Sequence, residues 1–121
     1  MKLAIVGSRD FTDYKSCNLA VLKTLEEWNI KVEEIEYIVS GGAKGADTLA
    51  ETFAKEYNIK TIIYKPDWRT LGKAAGILRN TDIVNEATHM IAFPSRFGKG
   101  TQDSISKAQS KNIPIKILFI D

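Results

Sequence analysis

Apolar residues along this chain fall into two alternating patterns. Leu3-Ala4-Ile5-Val6 is a continuous run stopped by Gly7, the mark of a strand covered by helices on both faces. Behind Asp13, a candidate N-cap, Tyr14, Cys17, Val21, Leu22, Leu25 and Trp28 recur at three- and four-residue spacing, which predicts an amphipathic helix. The alternation then repeats. Tyr37–Val39 predicts a second strand, and Ala46, Leu49, Ala50, Phe53, Ala54 and Tyr57 share one face of a second helix. Thr61–Tyr64 follows as a third strand. A helix within Leu71–Glu86, a strand at His89–Phe93, a helix over Thr101–Ser110 and a strand at Ile115–Ile120 complete the series. Five strands alternating with four helices predict one α/β domain over residues 1–121. Its fold class is Rossmann-like, a five-stranded parallel sheet in the order 3-2-1-4-5 with helices on both faces.

Composition narrows the function classes. The 121 residues are 44% hydrophobic and 26% charged, an ordinary globular balance. A net charge of +2 is too small for a nucleic-acid coat protein, and nucleic acid is set aside as the main partner. Yet seven of the seventeen basic residues, Arg9, Lys44, Arg69, Lys73, Arg79, Arg96 and Lys99, fall in four short segments. The lone Cys17 excludes an internal disulfide, and no Cys and His cluster has metal-ligand spacing, so neither metal nor cofactor is expected. The N-terminal apolar run is shorter than a signal peptide or a membrane span, so a cytoplasmic location with no membrane partner is expected.

Ligands of open α/β sheets bind outside the carboxyl ends of the strands, where the strand order reverses. The unusual residues of this chain follow its strands. Gly7-Ser8-Arg9-Asp10 comes after the first, and Ser40-Gly41-Gly42-Ala43-Lys44-Gly45-Ala46-Asp47 after the second. Pro66-Asp67-Trp68-Arg69 comes after the third, with Lys73, Gly76, Arg79 and Asn80 beyond it. Pro94-Ser95-Arg96-Phe97-Gly98-Lys99-Gly100-Thr101 comes after the fourth. Glycine lets backbone N–H groups close on an anion, and a helix N-terminus adds partial positive charge. Gly41, Gly42 and Gly45 before one helix, and Gly98 and Gly100 before another, therefore read as two phosphate cradles, with Arg9, Arg79 and Arg96 as counter-charges. Tight βα turns require glycine on their own account as well.

Asp47 serves either a ribose hydroxyl or the dipole of its own helix, and Trp68 either stacks on a base or packs over its loop. His89 opens a strand at the sheet edge away from the loops, and Cys17 lies on an apolar helix face, so both read as structural. Neither glycine loop is a Walker A or a dinucleotide Gly-x-Gly-x-x-Gly sequence, which argues against an ordinary ATPase or NAD-dependent dehydrogenase.

Taken in order, Gly7-Ser8-Arg9-Asp10-Phe11, Ser40-Gly41-Gly42-Ala43-x-Gly45-Ala46-Asp47, Asp67-Trp68, Gly76-x-x-Arg79-Asn80 and Gly98-x-Gly100-Thr101 resemble the YspA-like branch of the SLOG superfamily. The superfamily is similar to the Lonely Guy proteins and to the DNA-processing protein DprA. The resemblance implies a Rossmannoid fold, nucleotide-related ligands, dimers or larger homo-oligomers, and a frequent phage origin. Gly98-Lys99-Gly100-Thr101 is similar to the Gly-x-Gly-Thr of phosphoribohydrolases, and Arg79 to their substrate-contacting arginine. Those enzymes carry a glutamate three residues after the threonine, where this chain has Ser104; the nearest carboxylate, Asp103, points about 100° away on a helix.

The leading expectation is therefore a binding module for a phosphate-bearing nucleotide derivative, of ADP-ribose, cyclic nucleotide or nucleoside monophosphate type. It would sense or sequester a signal, with an anti-defence role in a phage. Its ligand-binding residues would be Gly7, Ser8, Arg9, Gly41, Gly42, Ala43, Gly45, Asp47, Asp67, Trp68, Gly76, Arg79, Asn80, Gly98, Lys99, Gly100 and Thr101, with no catalytic residue assigned. An N-glycosidic phosphoribohydrolase is the first alternative, and a single-stranded nucleic-acid binder the second.

Overall fold

The computed structural model describes residues 1–96 and 100–121. Strands β1 (Lys2–Gly7), β2 (Tyr37–Ser40), β3 (Lys60–Ile63), β4 (His89–Phe93) and β5 (Ile115–Ile117) form a single sheet, ordered β3-β2-β1-β4-β5 as predicted. Every pairing is parallel. Helices α1 (Tyr14–Glu27), α2 (Ala46–Glu56), α4 (Ala75–Glu86) and α5 (Gln102–Ser110) are the four crossovers; α3 (Trp68–Leu71) is one added turn. Among the described residues no helix is long and apolar enough to cross a membrane.

The continuous apolar run of β1 is explained by two cores, one on each face of the sheet. Leu3 and Ile5 join Ile38, Ile91 and Phe93 beneath Val21 and Leu25 of α1 and Phe53 of α2. Ala4 and Val6 join Val39, Met90 and Ala92 beneath Ile83 and Val84 of α4 and Ile105 of α5. Asp13 caps α1 as expected, its carboxylate accepting from the Ser16 N–H at 3.2 Å. Cys17 is buried and free, its thiol pushed up to about 12 by burial. His89 packs its ring 5.1 Å from that of Trp28, at the amino-terminal edge of the sheet.

Three helices end in the same way. Asn29, Asn58 and Asn112 adopt positive φ of 58°, 54° and 59° after α1, α2 and α5. Each is followed by an isoleucine whose N–H reaches back five residues, to the carbonyls of Leu25, Ala54 and Ala108. These are Schellman stops, with asparagine in the left-handed position that glycine more often takes.

Two boundaries depart from the sequence reading. The helix expected within Leu71–Glu86 is broken: Gly72 has φ +58°, so α3 ends there, and a 3-10 turn over Gly72–Ala74 leads into α4. The last strand is shorter than Ile115–Ile120, although the N–H groups of Leu118 and Ile120 still donate to Ala92 and Pro94.

Candidate functional site

The strand order reverses between β1 and β4, and the loops leaving these strands open a cleft of about 370 Å³ there. Gly7, Ser8, Arg9 and Asp10 line it from the β1 loop, Ala43 and Asp47 from the second loop and α2, Arg79 from α4, and Ser95, Gly100 and Thr101 from the fourth loop. A recess of about 50 Å³ deepens it between Asp47, Arg79, Asn80, Thr101 and Ser104. The positions expected after strands one, two and four thus converge. Gly98 and Lys99 lie outside the described residues.

Two of the loop glycines are required by the packing of the loops themselves. Gly45, at φ +76°, lies against the neighbouring loop: a Cβ there would strike the Ser8 carbonyl and sit 2.5 Å from the Arg9 Cα. At Gly41 a Cβ would collide with the Arg79 guanidinium and lie 2.9 Å from the Asp47 carboxylate. The first two loops are interlocked. Two backbone donors of the second loop are also used internally. Ala43 donates to Asp47 Oδ2 at 3.0 Å, and the Ala46 N–H, at the start of α2, to the Ser8 carbonyl at 3.1 Å. The anion nearest this loop is the protein's own.

Asp47 is 7% exposed, and burial pushes its carboxyl above the ordinary range despite the opposing Ala43 N–H and the Arg79 charge. Arg79 is half-buried and fixed from two sides: Nη1 donates to the Gly41 carbonyl at 2.7 Å and Nε to Asn80 Oδ1 at 3.0 Å. Asn80 Nδ2 in turn donates to Asp103 at 3.1 Å, and Lys107 Nζ to the same carboxylate oxygen at 2.8 Å. This chain of bonds ties α4 to the second loop and to α5, and sequence spacing offers no signal for it. Asp103 is thereby engaged beside Asn80, while Ser104 is buried at the recess.

Among the described residues, six expected ones, Gly41, Gly42, Gly45, Asp67, Trp68 and Gly76, stand apart from the cleft lining. Asp67 caps α3, accepting from the Thr70 N–H at 3.2 Å. Trp68 lies over Gly76, where a Cβ would be 3.4 Å from ring atom Cη2. Gly42 borders the aliphatic part of Lys65, a cation the sequence reading passed over because it precedes the Pro66 loop. Lys65, Arg69 and Lys73 are exposed. No ion pair among the described residues uses Arg9, Lys44, Lys65, Arg69, Lys73 or Arg79.

A Rossmann-like sheet with a cleft at its switch point, lined by Arg9 and Arg79 beside Asp10 and Asp47, defines the class. Residues 1–70 match the model of the YspA, cpYpsA-related SLOG family, and the chain belongs to that family. It is similar to the Gene 61 protein of Mycobacterium phage D29, with 34% identity over 126 residues, covering 94% of this chain and 93% of the phage protein. Its fold is similar to that of DNA processing protein A from Helicobacter pylori, a structure described for its single-stranded DNA binding mode. That match has a TM-score of 0.63 at 20% identity and covers 97% of this chain, which spans 64% of that chain's length.

Two expectations are corrected by this neighbour. The preferred ligand, a nucleotide derivative of ADP-ribose, cyclic or monophosphate type, gives way to the second alternative, and nucleic acid can no longer be set aside as a partner. The physical reason lies in the loops. The second loop's Ala43 donor serves Asp47, and the cations extend past the cleft along residues that a single small ligand would leave untouched.

Proposed function

We propose that this chain binds single-stranded nucleic acid in the cytoplasm, holding the sugar-phosphate backbone at the switch-point cleft and along the basic segment that continues from it. The distribution of charge is the observation that supports this reading most. Residues 65–79 carry Lys65, Arg69, Lys73 and Arg79 against one carboxylate, Asp67, so this stretch holds more positive excess than the +2 of the whole chain. A polymer with a charge at every nucleotide requires such a string of cations, whereas one phosphate group requires one cradle. Arg9 stands exposed at the cleft mouth, Arg79 is held at its wall, and the Thr101 side lies at the amide end of α5, where helix polarity favours an anion. Ser8 and Gly100 complete the lining for the backbone. The fold shared with a single-strand binder adds to this reading.

A hydrolytic reading has less support, because Asp103 is bound to Asn80 and Lys107 and a serine faces the recess. The test is fluorescence anisotropy of a labelled oligothymidylate over a salt series. The logarithm of the binding constant is expected to fall linearly with that of salt, by about 0.7 per phosphate contact, giving a slope of roughly −2 to −3 for three or four contacts. Absent binding at low salt, or binding that salt leaves unchanged, overturns the proposal.

A further inference from the structure

We infer that Trp68 is a base-stacking platform, the residue through which the chain selects unpaired over paired strands. The inference rests on the single-strand reading and adds to it a contact with the bases. Trp68 is 53% exposed, although an indole carries a large apolar area that burial would stabilise. Leu71, Ile77 and Leu78, close to it along the chain, are exposed as well, which makes residues 68–78 an apolar patch of the sequence at the surface.

Position on α4 connects this patch to the cleft. The indole lies over Gly76, the small residue that admits it, and Gly76 precedes Arg79 by three residues on the same helix. Three residues rise about 4.5 Å and return to nearly the same side. The ring therefore packs on α4 about one helical turn from the residue whose guanidinium stands at the cleft wall. A strand with a phosphate at Arg79 has Trp68 as the neighbouring exposed ring along the same helix.

Charge decides what covers the patch. Arg69 and Lys73 flank Trp68 and Leu71 along the chain, and an apolar protein partner would strip water from these cations without replacing it. An unpaired strand supplies both requirements, phosphates for the cations and π-faces for the indole. A duplex supplies only the phosphates, since its bases are stacked on one another. Trp28 takes no part, because it packs on His89 at the far edge of the sheet.

The experiment compares oligothymidylate, an abasic strand of equal length and phosphate number, and a duplex, each against the native chain, Trp68→Ala and Trp68→Phe. The native chain should bind the abasic strand and the duplex about tenfold more weakly than oligothymidylate. Trp68→Ala should lose a similar factor on oligothymidylate and no longer distinguish it from the abasic strand, while Trp68→Phe retains most of the preference. Native tryptophan emission should be quenched by oligothymidylate and not by the abasic strand, a readout independent of any variant's folding. Equal native affinity for thymidylate and abasic strands, with a steep salt dependence, overturns the platform while leaving the single-strand reading standing. No native binding to any strand overturns both.

Discussion

The two edges of the sheet treat charge in opposite ways. At the amino-terminal edge the terminal ammonium pairs with Glu36 at 3.0 Å and Lys2 with Glu86 at 2.6 Å, and Tyr64 donates to the same Glu86 at 2.8 Å. At the carboxyl edge Arg9, Lys44 and Lys65 face water without an ion pair among the described residues, Asp10 is exposed beside Arg9, and Asp47 is buried and accepts from the Ala43 N–H. Paired charges on an exposed surface contribute little to stability. The difference therefore concerns what each edge offers to a partner: one is neutralised before anything arrives, and the other is left open.

Reversing charge on the open edge tests this contrast most severely. The double variant Arg9→Glu with Lys65→Glu should lose about a hundredfold or more in oligothymidylate affinity at low salt and flatten the salt slope by about 1.4, about 0.7 for each of two lost contacts, with an unchanged melting temperature. Lys2→Gln, made on the paired edge, should leave affinity within about twofold. Equal losses from both would erase the contrast. Arg79→Ala should act on stability as well as binding, because it deprives the Gly41 carbonyl of its donor and Asp47 of its neighbouring cation. Urea denaturation should show a loss of about 1–3 kcal/mol. Arg9→Ala, by comparison, should weaken binding alone.

The smallest expected effect is the dependence on pH. Burial raises the Asp47 carboxyl in the folded chain above the ordinary value of 3.8. A proton is thus held more tightly by the folded than by the unfolded state, and this contribution is complete below the ordinary value and lost as pH rises through the raised one. Asp47→Asn cannot titrate. Its stability relative to the native chain should therefore climb between about pH 4 and neutrality, as measured by urea denaturation across that range. A constant difference would show that the Ala43 N–H and Arg79 fully offset burial.

Much of the scaffold was legible in the sequence because it depends on local periodicity. The run Leu3–Val6 could only be a doubly covered strand, and the reversal of order beside it placed the cleft. What escaped was set by contacts between distant segments. Gly45 looked like part of an anion loop, yet its freedom is used where the backbone passes Ser8 and Arg9. Asp47 offered two readings, a ribose partner or a helix-dipole group, and its acceptance from Ala43 depends on a turn no spacing rule encodes. Lys65 was overlooked because it sits before a proline and belongs to no motif. The ligand itself was misjudged for a related reason: glycine loops signal phosphate, and phosphate is common to small nucleotides and to strands.

The asparagine-isoleucine stops at the ends of α2 and α5 act as punctuation for the reading frame of the sheet. Lys60 begins β3 one residue past Ile59, and Ile115 begins β5 two past Ile113. With so little slack, one residue inserted after Asn58 or Asn112 would turn the following strand's side chains onto the opposite face. Length changes during the divergence of this family should consequently be scarce at these junctions, whatever happens to the loops across the sheet.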